Sequence, residues 1–555
     1  MSRVPFLGER YRQMETTDEV SGWPLHQKIA GKIDLEKVSQ AARKTSYAEA
    51  WERLMTAFDP TTYSRLRRNK PARCTLTAED IQSFLRDGLF ERIDKKDVMQ
   101  WANLWALPEP KKRRRRIILW PSTINSLWRK IIKGFESHIT DCLDHMDIEE
   151  FFIPLDMPAA FFQVEIPKEL RKYFAVDTSI GPVCITRLPM GVSFAPELLQ
   201  LILKIAIEAD KPIDESAINI SAVHIDNVLL SSTSEESVIT ATSRLQDTLK
   251  SWGGRIDIDE KAIISEHKGV FCGAEFNSKR HEYRVKQSSI EKIIHPTEVD
   301  TVGKHRENIS RLLYASRILR IPMADYYFLQ KWTRRMYSKI AKGEFTAEDT
   351  LPKMWQTAEE EYRSLFHRVK KNEWTSHPKK TALEGLTKTY LITDASLDGW
   401  GAVLVQPGRP PKVYSGVWPR RHEPKEMTTL EMRALRCTLK AARKRLTNVR
   451  NLSLVGDNTS MKAVLRKGSA FSYELNAELA KVIDVMPRDA LIFASYLETS
   501  AMPADDPSRG RPLDATKLKA ALKHLQLRQG PSGVPEGRTR DCVSRVRYAG
   551  ACTTS

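Results

Sequence analysis

The sequence predicts a multidomain chain of the mixed α/β and α+β classes, and three observations lead there. At roughly 150 residues per domain, 555 residues correspond to about three to four domains. Two stretches alternate short β-prone runs with amphipathic helices, and a helical stretch separates them. A hydrophobic fraction of 41% with 28% charged residues is that of globular chains, which excludes general disorder and collagen-like repeats.

Taken in order, residues 1–75 are polar, with Tyr47, Trp51, Leu54 and Met55 on one helical face, and read as an N-terminal extension without assigned chemistry. From Leu76 the run LTAEDIQSFLRDGLFERI opens on a Thr77 to Asp80 start signal. Ile81, Phe84, Leu85, Leu89 and Phe90 then predict an amphipathic helix, the start of a structured domain over 76–290. In PEPKKRRRRIILWPSTIN six basic residues, Lys111 to Arg116, abut the β-prone Ile117, Ile118, Leu119 and Trp120. A basic run entering a strand suits a phosphate-gripping hairpin, and equally a solvated loop or a nuclear-localisation signal. Residues 291–385 carry apolar and basic residues at helical spacing and read as connector helices. Over 386–525 three strands with Gly and Pro turns precede a helix, a strand, two helices and a strand. Residues 526–555 are rich in Gly, Ser and Arg without periodicity and read as a disordered basic tail.

The charge balance points to a partner. With 88 Lys+Arg against 70 Asp+Glu the formal charge is +18, so an acidic polymer is expected. No apolar run approaches the ~20 residues of a membrane span, and no secretory pattern opens the chain. The expectation is an intracellular protein of cytoplasm or nucleus, without a membrane partner. The seven cysteines are scattered without a CxxC pair, so neither a disulfide framework nor a finger-type zinc site is expected.

Three segments of the first half carry acids and turns that belong together. PLDMPAAFFQVEIP is an extended run holding Asp156, with Phe161 following; TRLPMGVSFAPELLQLILKIAI breaks at Pro189 and Gly191 before a helix. In SAVHIDNVLLSST two β-prone runs flank His224-Ile225-Asp226-Asn227, a hairpin that presents Asp226 at its turn. Asp156 and Asp226 on neighbouring strands would suit two hard divalent ions about 3.5–4 Å apart, the arrangement used for phosphoryl transfer.

The order and spacing of these segments resemble the palm of a retroelement reverse transcriptase, over roughly residues 75–380. The resemblance implies a right-hand polymerase, with fingers and palm over 76–290 and thumb and connection over 291–385. It implies that Asp156 and Asp226 bind metal and that Phe161 gates the sugar. Pro189, Met190 and Gly191 then form the loop beneath the incoming nucleotide. Arg116, followed by Asn125, and Lys111 or Lys112 would hold the triphosphate, while Glu260-Lys261 and Phe271-Cys272-Gly273 match the lysine strand and primer grip. The family's aromatic-x-Asp-Asp box is here His-Ile-Asp-Asn, so Asn227 replaces a carboxylate next to the substrate. An amide binds Mg2+ more weakly, and the expectation is activity biased toward Mn2+.

A second set of acids lies in the C-terminal module. Asp394 ends one strand, Glu431 lies early on a helix, Asp457 ends a later strand, and Asp505 and Asp506 open the last helical stretch. Thr428-x-x-Glu431 is also a capping box, and both readings of Glu431 stand. The order Asp, Glu, Asp, Asp resembles the ribonuclease H family, and Ala504-Asp505 before Pro507-Ser508-Arg509 favours Asp505 over Asp506. That resemblance assigns Asp394, Glu431, Asp457 and Asp505 to metal binding. No histidine lies between Tyr496 and Asp505, where some members carry one.

Both resemblances together give the layout of a retrotransposon reverse transcriptase with a ribonuclease H-like α/β domain, most similar to DIRS-like elements that use a tyrosine recombinase and to the trypanosomatid VIPER type. They imply an RNA-directed DNA polymerase and an RNA–DNA hybrid endonuclease. Two Mg2+ or Mn2+ ions per site would serve as cofactors. The partners would be an RNA template, a DNA primer, the RNA–DNA hybrid and dNTPs. The alternative is a decayed scaffold that keeps both folds for binding nucleic acid in a ribonucleoprotein.

Overall fold

The computed structural model describes residues 22–25, 29–72, 74–109, 112–131, 148–209, 218–376, 388–419, 427–487, 490–527 and 543–545. The chain forms two compact units, Met1–Ile263 and Ile264–Ser555, so the division falls within the stretch 76–290 grouped above as fingers and palm.

In the first unit a four-stranded antiparallel sheet runs in the spatial order Ile218–His224, Asn227–Ser232, Phe151–Asp156, Asp257–Ile258. Helices Ala195–Ala209 and Glu235–Ser251 pack on it. The first of these buries Leu198, Leu199, Leu201, Ile202, Leu203 and Ile205. So wide an apolar surface needs cover on more than one side, and helix Leu35–Ala42 supplies it. Ile33, Val38, Trp51, Leu54 and Tyr63 thus join one core with Trp128, Phe194 and Ile202. This corrects the reading of residues 1–75 as an extension: from Ile33 onward the segment is part of the first unit's core. Its amphipathic faces at Trp51 and Leu54 were legible, but the core they join includes Phe194 and Ile202, more than a hundred residues further along the sequence.

The basic run enters a strand, as the hairpin reading required. Arg114–Trp120 pairs antiparallel with Asn103–Glu109, and burial alternates along it. Arg115 turns inward, where both guanidinium nitrogens reach the Asp80 carboxylate at 2.9 and 3.0 Å, while Arg114 and Arg116 pair with Glu109 on the other face. Asp80 also completes the capping box with Thr77 at the start of helix Ala78–Arg86.

In the second unit, strands Lys268–Phe271, Ala274–Asn277, Glu282–Val285 and Thr375–Ser376 form an antiparallel sheet, followed in sequence by helices Val302–Ile318, Tyr327–Ala341 and Gln356–Lys371. The C-terminal module holds a mixed six-stranded sheet in the order Lys412–Val417, Gly399–Val405, Thr389–Ala395, Asn451–Gly456, Leu491–Tyr496, Val543–Arg545. The strand and helix order through Tyr496 is the predicted one. Val543–Arg545 departs from the expected tail: it pairs antiparallel with Phe493–Ser495. Three residues at a sheet edge carry no periodicity that could announce them. Among the described residues no helix is long and apolar enough to cross a membrane.

Trp51 is fully enclosed and its indole N–H donates to Ser39 Oγ at 2.8 Å. Trp51→Ala is expected to destabilise the first unit by about 3–5 kcal/mol in urea unfolding. A loss under 1 kcal/mol would return the segment to a loosely attached extension.

Candidate active sites

In the first unit the site is made where three strands meet. Asp156 ends its strand directly opposite Asn227 on one neighbour and Asp257 on the other. The hairpin turn at Ile225, with φ of 53°, carries Asp226, and the Asp226 carbonyl accepts the Met157 N–H at 2.9 Å. That bond ties the hairpin tip to the end of the Asp156 strand. Burial pushes the Asp156 carboxyl up to about 6, and the nearby Asp226, Asp259 and Asp257 charges add to the shift. Burial also raises Asp226, opposed by the Asn227 amide, which donates to Asp226 Oδ1 at 2.9 Å, and by Arg116. Asn227 therefore occupies one carboxylate oxygen that a metal would otherwise use.

Of the other residues assigned by resemblance, Arg116 and Lys112 act on these acids through their charge, and the Pro189–Gly191 loop is bonded to the Arg116 strand. Leu119 N–H donates to the Met190 carbonyl at 2.9 Å. Gly191, at φ 104°, lies so close that a Cβ would sit 2.3 Å from the Leu119 carbonyl, so only glycine fits. The buried Asn125 bridges the loop, donating to the Gly191 carbonyl and accepting the Ser193 N–H, both at 2.8 Å. The fingers-type hairpin and the Pro189–Gly191 loop are thus one hydrogen-bonded block. Arg116 lies 3.6 Å from Met190 Sδ, and its charge, like that of Lys112 toward Asp156, favours ionised acids at the centre. Phe161 sits in the short helix Ala160–Gln163, packed against the core. Lys261 is exposed in the turn Glu260–Ala262. Lys111 lies outside the described residues.

In the second unit Asp394, Glu431 and Asp457 bring one carboxylate oxygen each within 4.8 Å of one another. Asp394 and Glu431 are buried. Glu431 Oε1 accepts the Ala395 N–H at 3.2 Å, and its Oε2 is buried without a partner among the described residues. Helix Met427–Leu446 starts before Thr428, so Glu431 faces the acids and does not cap the helix start. Burial, reinforced by Asp394 and Asp457, pushes Glu431 up to about 9; burial, with Asp457 and Asp505, pushes Asp394 up to about 6. Asp505 stands outside this trio: Arg509 and Arg511 hold its oxygens at 2.9 and 3.5 Å. The expected set of four is therefore three acids together, with the fourth tied to arginines.

Sequence reasoning missed the supports. Ser508 Oγ donates to Asp394 Oδ2 at 2.6 Å, and Thr499 Oγ1 donates to Asp457 Oδ2 at 2.8 Å. Ser508 reaches Asp394 because Gly401 faces it: a Cβ there would lie 2.2 Å from the Ser508 nitrogen. Asp257 and Asp259 were also missed; their alternation in Ile-Asp-Ile-Asp was the available signal, since it puts both acids on one face of a strand.

Residues 95–276 match the family described as reverse transcriptase (RNA-dependent DNA polymerase), which spans the hairpin, the nucleotide loop and both acids of the first centre. The chain is 23% identical over 209 residues to the retrovirus-related Pol polyprotein from transposon 412 of Drosophila melanogaster. That stretch is 36% of this chain and 16% of the polyprotein. Residues 95–276 are thus similar to reverse transcriptase domains, over about a third of the chain. It is also similar to the foamy viral protease-reverse transcriptase in complex with double-stranded DNA, at 14% identity and a TM-score of 0.45, over 86% of this chain and 84% of that one. For the same viral enzyme in complex with RNA/DNA hybrid the identity is 14%, the TM-score 0.44, and the coverage 86% and 64%.

With Asp394 raised to about 6 and Glu431 to about 9, the metal-free native state binds more protons than the unfolded chain. Stability is therefore expected to fall as pH rises from about 4 to 9. Glu431→Gln should flatten the decline in melting temperature between about pH 6 and 9 and reduce the rise that excess Mn2+ gives the parent. An unchanged slope with an unchanged Mn2+ response would remove Glu431 from the site.

Proposed function

We propose that this chain is an RNA-directed DNA polymerase with a second, ribonuclease H-type centre that cuts RNA in RNA–DNA hybrids. The observation that supports the polymerase most directly is the junction of Asp156 with the Asp226 hairpin inside the reverse transcriptase domain. For the nuclease it is the trio Asp394, Glu431 and Asp457 with a buried, unpartnered Glu431 oxygen aimed among acids.

Both acid sets are hard oxygen donors and suit Mg2+ or Mn2+, two per centre. Bound there, divalent ions would activate an oxygen nucleophile and offset the charge that builds at phosphorus. The chain's own residues do the rest. In the first centre Arg116 and Lys112 would hold the triphosphate of a dNTP, and the Asn125-clamped Pro189–Gly191 loop would support the nucleotide. Phe161 would meet its sugar. In the second centre Ser508, Thr499 and the Ala395 N–H aim the carboxylates, and Arg509 and Arg511 control the approach of Asp505. An RNA template annealed to a DNA primer is the partner of the first centre, and the resulting hybrid that of the second.

One observation favours the scaffold alternative: Asn227 both removes a charge and engages Asp226 Oδ1. The two readings separate on one gel. Purified protein, an end-labelled RNA template with a DNA primer, dNTPs and Mg2+ or Mn2+ should give extension and RNA cutting. Asp226→Ala is expected to abolish extension only, and Asp394→Asn cutting only. Extension should be faster with Mn2+, and Asn227→Asp should raise the Mg2+-supported rate about tenfold, roughly 1.4 kcal/mol of barrier. Absence of both products with either metal would leave the scaffold.

A further inference from the structure

In the second unit the helical segment and the C-terminal module meet at a patch that neither acid centre uses. The buried Asn476 donates to the Ala324 carbonyl at 2.7 Å and accepts the Ala470 N–H at 3.0 Å. Tyr327 OH donates to the Phe471 carbonyl at 3.0 Å, and the rings of Tyr327, Phe328 and Tyr473 pack edge to face or tilted at 5.3–5.6 Å. The short loop between helices Thr459–Lys467 and Tyr473–Val485 is thereby fixed from beneath.

Above it the side chains stand open. Phe471 is 72% exposed and Tyr473 55%. The Arg334 guanidinium lies 4.8 Å from the Phe471 ring centre and the Lys467 ammonium 4.5 Å, and Lys331 lies 5.4 Å from the Tyr327 ring. Burial and the neighbouring Arg334 and Arg317 charges lower the Lys467 pKa, so like charges converge here. Among the described residues no carboxylate pairs with Arg334 or Lys467. A protein that leaves a phenyl ring in water beside two crowded cations gains from a ligand with a flat apolar face next to an anion.

We propose that this patch binds single-stranded nucleic acid, a backbone phosphate lying between Arg334 and Lys467 and an unpaired base stacking on Phe471. An unpaired base offers its face to a side chain, whereas a base within a duplex is already stacked. The proposal deepens the functional reading and rests on it, since it takes nucleic acid to be the substrate.

The test is fluorescence anisotropy on the full chain without divalent metal. The probes are a labelled single-stranded DNA, a single-stranded RNA, a blunt RNA–DNA hybrid and polyglutamate. Phe471→Ala should weaken both single strands about tenfold, leave the salt slope unchanged and spare the hybrid. Arg334→Gln with Lys467→Gln should reduce the slope of log K against log salt for single strands by about 1.4, or about 0.7 per lost contact. Lys519→Gln with Lys523→Gln, the same charge change on the exposed face of helix Ala515–Leu527, controls for net charge. Matching melting curves show that the variants fold. Variants that bind like this control would overturn the patch while leaving the functional reading intact. A parent that binds no nucleic acid would overturn both. An equal loss for polyglutamate would reassign the patch to an acidic protein partner and so overturn it.

Discussion

Like charges held together in half-dry surroundings are the constraint on which this molecule is built. In each unit a sheet ends at a carboxylate, a second element brings another acid against it, and burial disfavours the ionised form of both. Left alone, such groups would separate or draw in water. They stay because the backbone around them has no slack: the Met157 to Asp226 bond closes one junction, and the Ala395 to Glu431 bond closes the other.

The two centres solve the problem differently. In the first, Asn227 relieves repulsion by donating to Asp226, and Asp257 stands across the sheet on the far side of Asp156, paired with Arg255. In the second, Ser508 and Thr499 take one oxygen each of Asp394 and Asp457, and Glu431 is left with an oxygen that no donor among the described residues satisfies. The second centre is thus the one whose protein donors leave most to be supplied by a cation, and the first is the one already partly neutralised.

Much of this was legible in the sequence where a physical rule acts over a few residues. The hairpin tip at Asp226, the capping box at Thr77 and Asp80, and the succession of strands and helices along the C-terminal module follow from period, turn chemistry and caps. What could not be read depends on distant contacts. Nothing local tells that Arg115 finds its partner in Asp80, or that Trp51 belongs to the core of helix Ala195–Ala209. Nor does the run Ala-Asp-Asp-Pro-Ser-Arg reveal that Ser508 reaches Asp394 while Arg509 restrains Asp505. Gly401 makes that approach possible, yet a glycine within a strand is equally at home at a bulge or a tight bend, so its presence in the sequence does not announce a neighbouring backbone.

On the proposed function, both acid sets are cation sites created by their scaffolds. Anomalous scattering from a crystal soaked in Mn2+ tests it directly. A strong peak is expected among Asp394, Glu431 and Asp457 and a second, weaker one between Asp156 and Asp226, both lost when the soak is repeated at a pH well below 6. Peaks at neither site, or Mn2+ bound only by exposed acids elsewhere, would contradict it.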